Sequence, residues 1–353
     1  MKMKQWHQRK QEKPTSKSKP TSKWKKNIKA TFKVILGVAA ASMVVGATAH
    51  ATYFKGKMDQ IQPYGQMVGV DDGQMHLYAM RPPAGDGEKT IVLLPGMGVP
   101  LPSADFSPLM RTLSEKHTVV TVEYFGVGFS SQTSKSRTTE NYVEELRAAL
   151  REGGYTPPYV LMPHSISSVY SEYYASKYPE EVEAIISLDG TSTAYHEEMP
   201  AFVKFVLPVV KFQQSIGATS VLAQVITSNQ RQPLLDNGYT EKEISDMKIF
   251  GGFSLNDNVL EQIGRSTDYI KDTMALPFPE SVPYFKVISK DTYETPNKQL
   301  KTTPQQYQHD HLERIGQHVE HEILEGNHFI YAGNADRISE IVENVLSQRE
   351  VKP

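Results

Sequence analysis

A hydrophobic run, Tyr159-Val-Leu-Met, halts at Pro163 and passes through His164-Ser165-Ile166 into a helical pattern. A strand that turns this sharply into a helix lifts a small polar side chain out of the sheet. It sets that side chain beside the helix N-terminus, where free backbone N–H groups can hold a developing oxyanion. A serine there is a nucleophile in outline, or else only a cap for the following helix. To attack a carbonyl it needs a base to take its proton and a carboxylate to fix that base's tautomer. Eleven histidines are available, and His328 follows the last predicted strand, in Leu324-Glu-Gly326-Asn327-His328-Phe329, just before the last amphipathic helix. For the acid, Asp291 fits best beyond the strand that ends at Ser289, with Glu294 beside it and Asp189 after Leu188 as the competitors.

These residues need a frame. Alternating and continuous apolar runs predict strands at 66–70, 74–79, 90–94, 118–123, 159–162, 183–188, 284–289 and 318–324, with helical patterns between the later ones. That order belongs to an α/β domain with a mainly parallel central sheet flanked by helices. Asp71-Asp72-Gly73 between the first two runs reads as a hairpin turn. Ile166, Val169, Tyr170, Tyr173 and Tyr174 form one helical face and Ile338, Ile341, Val342, Val345 and Leu346 another, both read as core packing. Over ninety residues separate Asp189 from the strand at Tyr284, far more than a connection needs, so 192–278 reads as an inserted helical cap between core segments 64–191 and 279–350. Its apolar stretches at 202–212 and 221–226 would pack on the sheet domain or line a pocket above it.

The segment around Ser165 resembles the nucleophile elbow of the α/β-hydrolase superfamily, Gly-x-Ser-x-Gly, with Pro163 and Ser167 in the glycine positions. The resemblance covers roughly residues 65–350. Ile91-Val-Leu-Leu-Pro95-Gly96-Met97-Gly98 is similar to the family's His-Gly loop, with Pro95 in place of the His. Gly126-Val-Gly128-Phe-Ser130 is similar to its Gly-x-Gly-x-Ser loop. What the resemblance implies is a serine hydrolase of esterase or lipase type, acting without a cofactor. Ser165 would be the nucleophile, His328 the base and Asp291 the acid, with the backbone N–H groups of Met97 and Ile166 as the oxyanion hole. A serine at the elbow argues against family members that use a carboxylate nucleophile there. The rival expectation is a catalytically silent surface protein that keeps the fold to bind a ligand or partner.

Composition removes other chemistries. The 353 residues include no cysteine, which excludes disulfides, thiolate nucleophiles and cysteine-ligated metals. No phosphate-binding Gly-x-x-x-x-Gly-Lys-Ser/Thr run is present. His309, Asp310, His311, His318 and His321 lack metal-ligand spacing and read as a solvated, histidine-rich surface. No metal is expected.

Charge is divided along the chain. Residues 1–33 carry twelve Lys and Arg against Glu12, a net +11, while the remainder carries −13 of the overall −2. The 21 residues 34–54 that follow contain no Asp, Glu, Lys or Arg, about the length of a membrane-crossing helix. The basic tail is expected to stay cytoplasmic with the catalytic body outside, anchored by 34–54. Alternatively 34–54 is a signal whose Ala47-Thr48-Ala49 or Ala49-His50-Ala51 is cleaved, giving a secreted protein. The expected partners are a small hydrophobic ester and a membrane, with no nucleic acid.

Overall fold

The computed structural model describes residues 22–350 apart from 84, 86, 197, 200, 298, 299, 317 and 318; the basic stretch 1–21 and His318 lie outside the described residues. The chain divides into two units, Met1–Val45 and Gly46–Pro353. Helix α1 (Ser22–Ala49) carries the uncharged segment as far as Ala49, and a wide π-helical turn at His50–Phe54 completes it before α2 (Lys55–Asp59). The helical stretch Ala30–Asp59 is long and apolar enough, by length and composition, to cross a membrane.

The second unit opens on a hairpin, β1 (Gln66–Val70) and β2 (Gly73–Met80), whose turn places Asp71 at φ +49°. Next come β3 (Thr90–Leu94), α3 (Pro102–Asp105), α4 (Ser107–Leu113), β4 (Thr118–Glu123), α5 (Thr139–Glu152), β5 (Tyr159–Pro163), α6 (Ser167–Lys177) and β6 (Val182–Leu188). Four helices then come without an intervening strand: α7 (Ala201–Ser215), α8 (Ala218–Asp236), α9 (Glu241–Phe250) and α10 (Asp257–Met274). The chain ends with β7 (Tyr284–Ser289), α11 (Lys290–Glu294), α12 (Pro304–Ile315), β8 (Glu320–Leu324) and α13 (Ala335–Glu350). All eight predicted strands are present, with bounds within two residues of expectation.

The strands form one sheet in the order β1-β2-β4-β3-β5-β6-β7-β8, in which β2 runs antiparallel to its neighbours and the rest are parallel. Central strands are buried on both faces, which is why they read as unbroken apolar runs. Alternation divides them between two cores: Val92, Leu94 and Leu161 face α5, α6 and α10, while Ile91, Leu93 and Met162 face α4 and α13. The first core is rich in tyrosine, with Tyr142 stacked on Tyr170 at 4.4 Å between ring centres. Val169, Tyr170 and Tyr174 of the expected helix face are buried, as are Ile338, Ile341, Val342 and Leu346.

One buried carboxylate ties the loops above the sheet together. Glu123, at the end of β4 and fully buried, accepts hydrogen bonds from Ser103 N (3.0 Å) and Phe129 N (2.6 Å) and lies 3.1 Å from His76 Nδ1. A Cβ at Gly128, which sits at φ +56°, would strike this carboxylate, so glycine is required there on both counts. Glu123→Ala would leave two buried N–H donors without an acceptor, and is expected to cost about 2–5 kcal/mol of unfolding free energy. Urea unfolding in detergent micelles checks this, and a loss under about 1 kcal/mol would contradict it.

Candidate active site

β5 hands the chain to α6 through a turn that the sheet itself enforces. His164 N–H donates to Leu94 O on β3 (2.9 Å), and Ser165 N–H turns to Leu188 O on β6 (3.3 Å). Ser165 sits at φ +54°, a left-handed conformation that costs a non-glycine residue about 1–2 kcal/mol. α6 starts two residues later without a side-chain cap, so Ser165 is not spent as a helix cap. Its hydroxyl lies 2.9 Å from His328 Nε2.

His328 arrives on the loop after β8, and its Nδ1 is 2.7 Å from Asp189 Oδ2. Asp189 itself stands at φ +46° at the end of β6, the strand next to β5. Its carboxylate is buried and accepts from Ser289 N (2.9 Å), Ser289 Oγ (3.0 Å) and Thr292 Oγ1 (2.7 Å). Burial alone would raise its pKa, but hydrogen bonds from His328, Ser289 and Thr292 outweigh it and hold the carboxyl below its ordinary value. An ionised carboxylate only accepts, so Nδ1 of His328 carries the proton and Nε2 is left to accept from the serine hydroxyl.

The structure therefore brings Ser165 and His328 together as expected but seats Asp189, not Asp291, on the imidazole. The reason is local. β7 runs directly into α11, capped by Ser289, whose Oγ accepts from Thr292 N (3.1 Å). Asp291 is thereby wound into the first turn of α11 and exposed, its backbone N–H donating to Gly326 O; Glu294 is exposed at the helix end. Ser289 and Thr292, which the sequence reading did not single out, are what α11 offers to Asp189. The signal for Asp189 was an acid followed by glycine directly after a buried strand: a Cβ at Gly190 would collide with Ser168 and Ser187.

Two further residues of the elbow take roles that their sequence positions do not show. Ser167, where the resembled motif has glycine, donates from Oγ to Pro95 O (2.5 Å) and so pins the loop after β3 to the elbow. His164 Nε2 donates to the backbone carbonyl of His328 (2.9 Å), and its ring packs against His328, Phe329 and Tyr331. Burial, reinforced by the neighbouring His328, pushes the His164 pKa down to about 3, so the ring is neutral. Met97 and Ile166 flank the serine on the β3 loop and the elbow, and neither N–H is taken up by a hydrogen bond among the described residues.

A cavity of about 510 Å³ opens beside Met97, lined by Val99, Leu222, Ile226, Met247 and Phe329 with Asp105 among them. Burial raises the Asp105 pKa to about 6, against the hydrogen bond donated by Tyr331. The histidine-rich stretch is not uniformly solvated: His311 is buried, its Nε2 2.9 Å from Glu172 and its Nδ1 2.5 Å from Lys286 Nζ. Among the described residues no group of three His, Asp or Glu is placed to hold a metal ion.

A family model described as the alpha/beta hydrolase fold matches residues 89–213. The uncharacterized protein YbdG of Bacillus subtilis (strain 168) is 36% identical over 125 residues, covering 35% of this chain and 37% of that one. The 2-(acetamidomethylene)succinate hydrolase of Mesorhizobium japonicum (strain LMG 29417 / CECT 9101 / MAFF 303099) is 28% identical over 106 residues, 30% of this chain and 37% of that one. The matched stretch thus spans under two fifths of the length of either relative. Among solved structures, the Cif epoxide hydrolase from Acinetobacter nosocomialis superposes with a TM-score of 0.61 at 13% identity, over 86% of this chain and 96% of that one.

The neutral His164 makes stability pH-dependent. Its folded pKa, about 3, lies below the ordinary 6.5, so the unfolded chain binds a proton that the native state refuses. Stability is complete above pH 6.5 and falls as pH drops toward 3. His311, lowered to about 4, acts in the same sense, while Asp105, raised to about 6, opposes them in part. His164→Gln is expected to flatten the fall in unfolding free energy between pH 6.5 and 4.5 by about 2 kcal/mol. Chemical denaturation across that window tests it, and equal slopes in both proteins would contradict it.

Proposed function

The chain has the α/β-hydrolase fold, and from that premise we propose that it is a serine hydrolase cleaving an ester or related acyl bond. The observation that carries the proposal is the continuous hydrogen-bonded line from Ser165 Oγ through His328 to Asp189. Ser165 Oγ attacks the carbonyl carbon as His328 Nε2 takes its proton. The Met97 and Ile166 N–H groups receive the oxyanion of the tetrahedral intermediate. His328 then passes the proton to the leaving oxygen, the carbon–oxygen bond breaks, and Ser165 is left acylated. Water, deprotonated by the same imidazole, attacks the acyl carbon and releases the acid with the serine restored. Asp189 keeps Nδ1 protonated and stabilises the imidazolium; no cofactor enters.

The mainly apolar cavity beside Met97 supports a hydrophobic ester as substrate. The stretch Ala30–Asp59 supports a single-pass anchor with the basic tail cytoplasmic and the catalytic body outside, or secretion if the segment is cleaved. The helices 201–274 are read as the cap over the site.

A fluorophosphonate probe is expected to label the wild type and not Ser165→Ala. On a short-chain ester, Asp189→Asn should lower kcat by about 10³–10⁴-fold, since the imidazole then presents the wrong tautomer, while Asp291→Asn stays within about threefold of wild type. Labelling that survives Ser165→Ala, or a large loss confined to Asp291→Asn, would overturn the assignment. Absence of labelling in the wild type would favour the silent, ligand-binding alternative.

A further inference from the structure

Helices α7 and α8 keep an apolar face that is exposed and that nothing among the described residues covers. On α7, Phe202, Phe205, Val209 and Phe212 are all exposed, Phe205 by 78%, and their spacing confines them to one stripe of about 80°. Val221 and Val225 extend the apolar exposure onto α8. Leu222 and Ile226 of α8 are both exposed and lining the cavity beside Met97, so one helix faces the outside and the candidate site at once. An apolar patch of this extent on a protein marks an interaction surface.

What covers it is indicated by the turn joining the two helices. That turn packs tightly on residues 46–50: a Cβ at Gly46 would come within 2.3 Å of Ile216 O, and one at Gly217 within 2.5 Å of Gly46 O. His50 Nδ1 lies 2.8 Å from Ser220 Oγ, and the His50 ring stacks on Phe253 at 4.3 Å. Residues 46–50 belong to the stretch able to cross a membrane, and the first charge after them is Lys55. At 1.5 Å per residue they lie about 8–13 Å along the helix from Lys55, whereas the uncharged run from 34 to 54 is about 31 Å long, one hydrocarbon thickness. A turn bound at that depth cannot stand wholly in water.

We infer that the exposed face of α7 and α8 is immersed in the lipid leaflet into which residues 46–54 emerge, so that an acyl chain reaches the candidate site from the bilayer past Leu222 and Ile226. Burial of an apolar helix face by several ångströms at the headgroup–acyl boundary is the usual mode of an interfacial helix. The close approach of two glycines keeps the turn backbone against protein, as backbone at this depth requires. The inference rests on 34–54 being retained as an anchor, and its entry route rests on the hydrolase reading above.

The native chain has no cysteine, so single cysteines report without background. Full-length Phe205→Cys, Phe212→Cys and, as control at the opposite end of the parallel strands, Glu115→Cys are labelled with an environment-sensitive fluorophore. The proteins are reconstituted in phosphatidylcholine–phosphatidylglycerol vesicles. Labels at 205 and 212 are expected to emit at shorter wavelength, to lose intensity to acyl-chain-brominated lipid and to resist aqueous iodide; the label at 115 behaves oppositely. Iodide quenching at 205 and 212 equal to that at 115 would overturn the inference. Protection from both quenchers would overturn it too, by pointing to a second copy of the chain on this face. The readout needs no turnover and is expected to be unchanged in Ser165→Ala, so it fails or succeeds independently of the hydrolase reading.

Discussion

The site depends on two non-glycine residues held in left-handed backbone conformation at the ends of adjacent strands, Ser165 after β5 and Asp189 after β6. Each conformation costs about 1–2 kcal/mol and persists only because its surroundings over-determine it. For Ser165 these are the N–H to Leu188 O, the carbonyl accepting from Thr191 N (3.1 Å) and from Ser168 Oγ (2.7 Å). For Asp189 they are the short N–H bond to Val287 O (2.7 Å) and the Ser289–Thr292 clamp on its carboxylate. Neighbouring strands that break direction in this way present a hydroxyl and a carboxylate on either side of one loop, and His328 fills the gap.

The strands were legible because buried parallel strands leave unbroken apolar runs, and Ser165 because such a run ends at a small polar residue before a helix. His328 followed from the resemblance, which implies a histidine between the last strand and the last helix. The acid was not legible in the same way. Asp291 and Asp189 both stand just past buried strands, and their immediate neighbours make the difference: Ser289 caps α11 and winds Asp291 outward, while Gly190 packs closely on Ser168 and Ser187 and lets Asp189 turn toward Ser289 and Thr292. Capping by Ser289 was readable in principle; a left-handed aspartate was not, since that conformation is imposed by the neighbouring strand.

The departures at the elbow have physical counterparts. Pro163 lacks an N–H, but backbone alternation points that position toward β6, and the donor there is resumed by Ser165. Ser167 gains a bond to Pro95 O that glycine could not make. The apolar stretches between β6 and β7 read as packing on the sheet domain or lining a pocket, because composition does not reveal which side of a helix is covered. In the structure α7 turns one stripe outward, next to residues 46–50.

The central claim is that Asp189 orients His328. The proton shared between Asp189 Oδ2 and His328 Nδ1 should give a strongly downfield imidazole N–H resonance in the detergent-solubilised protein, retained in Asp291→Asn and lost in Asp189→Asn. A downfield signal that survives Asp189→Asn and vanishes in Asp291→Asn would contradict the account.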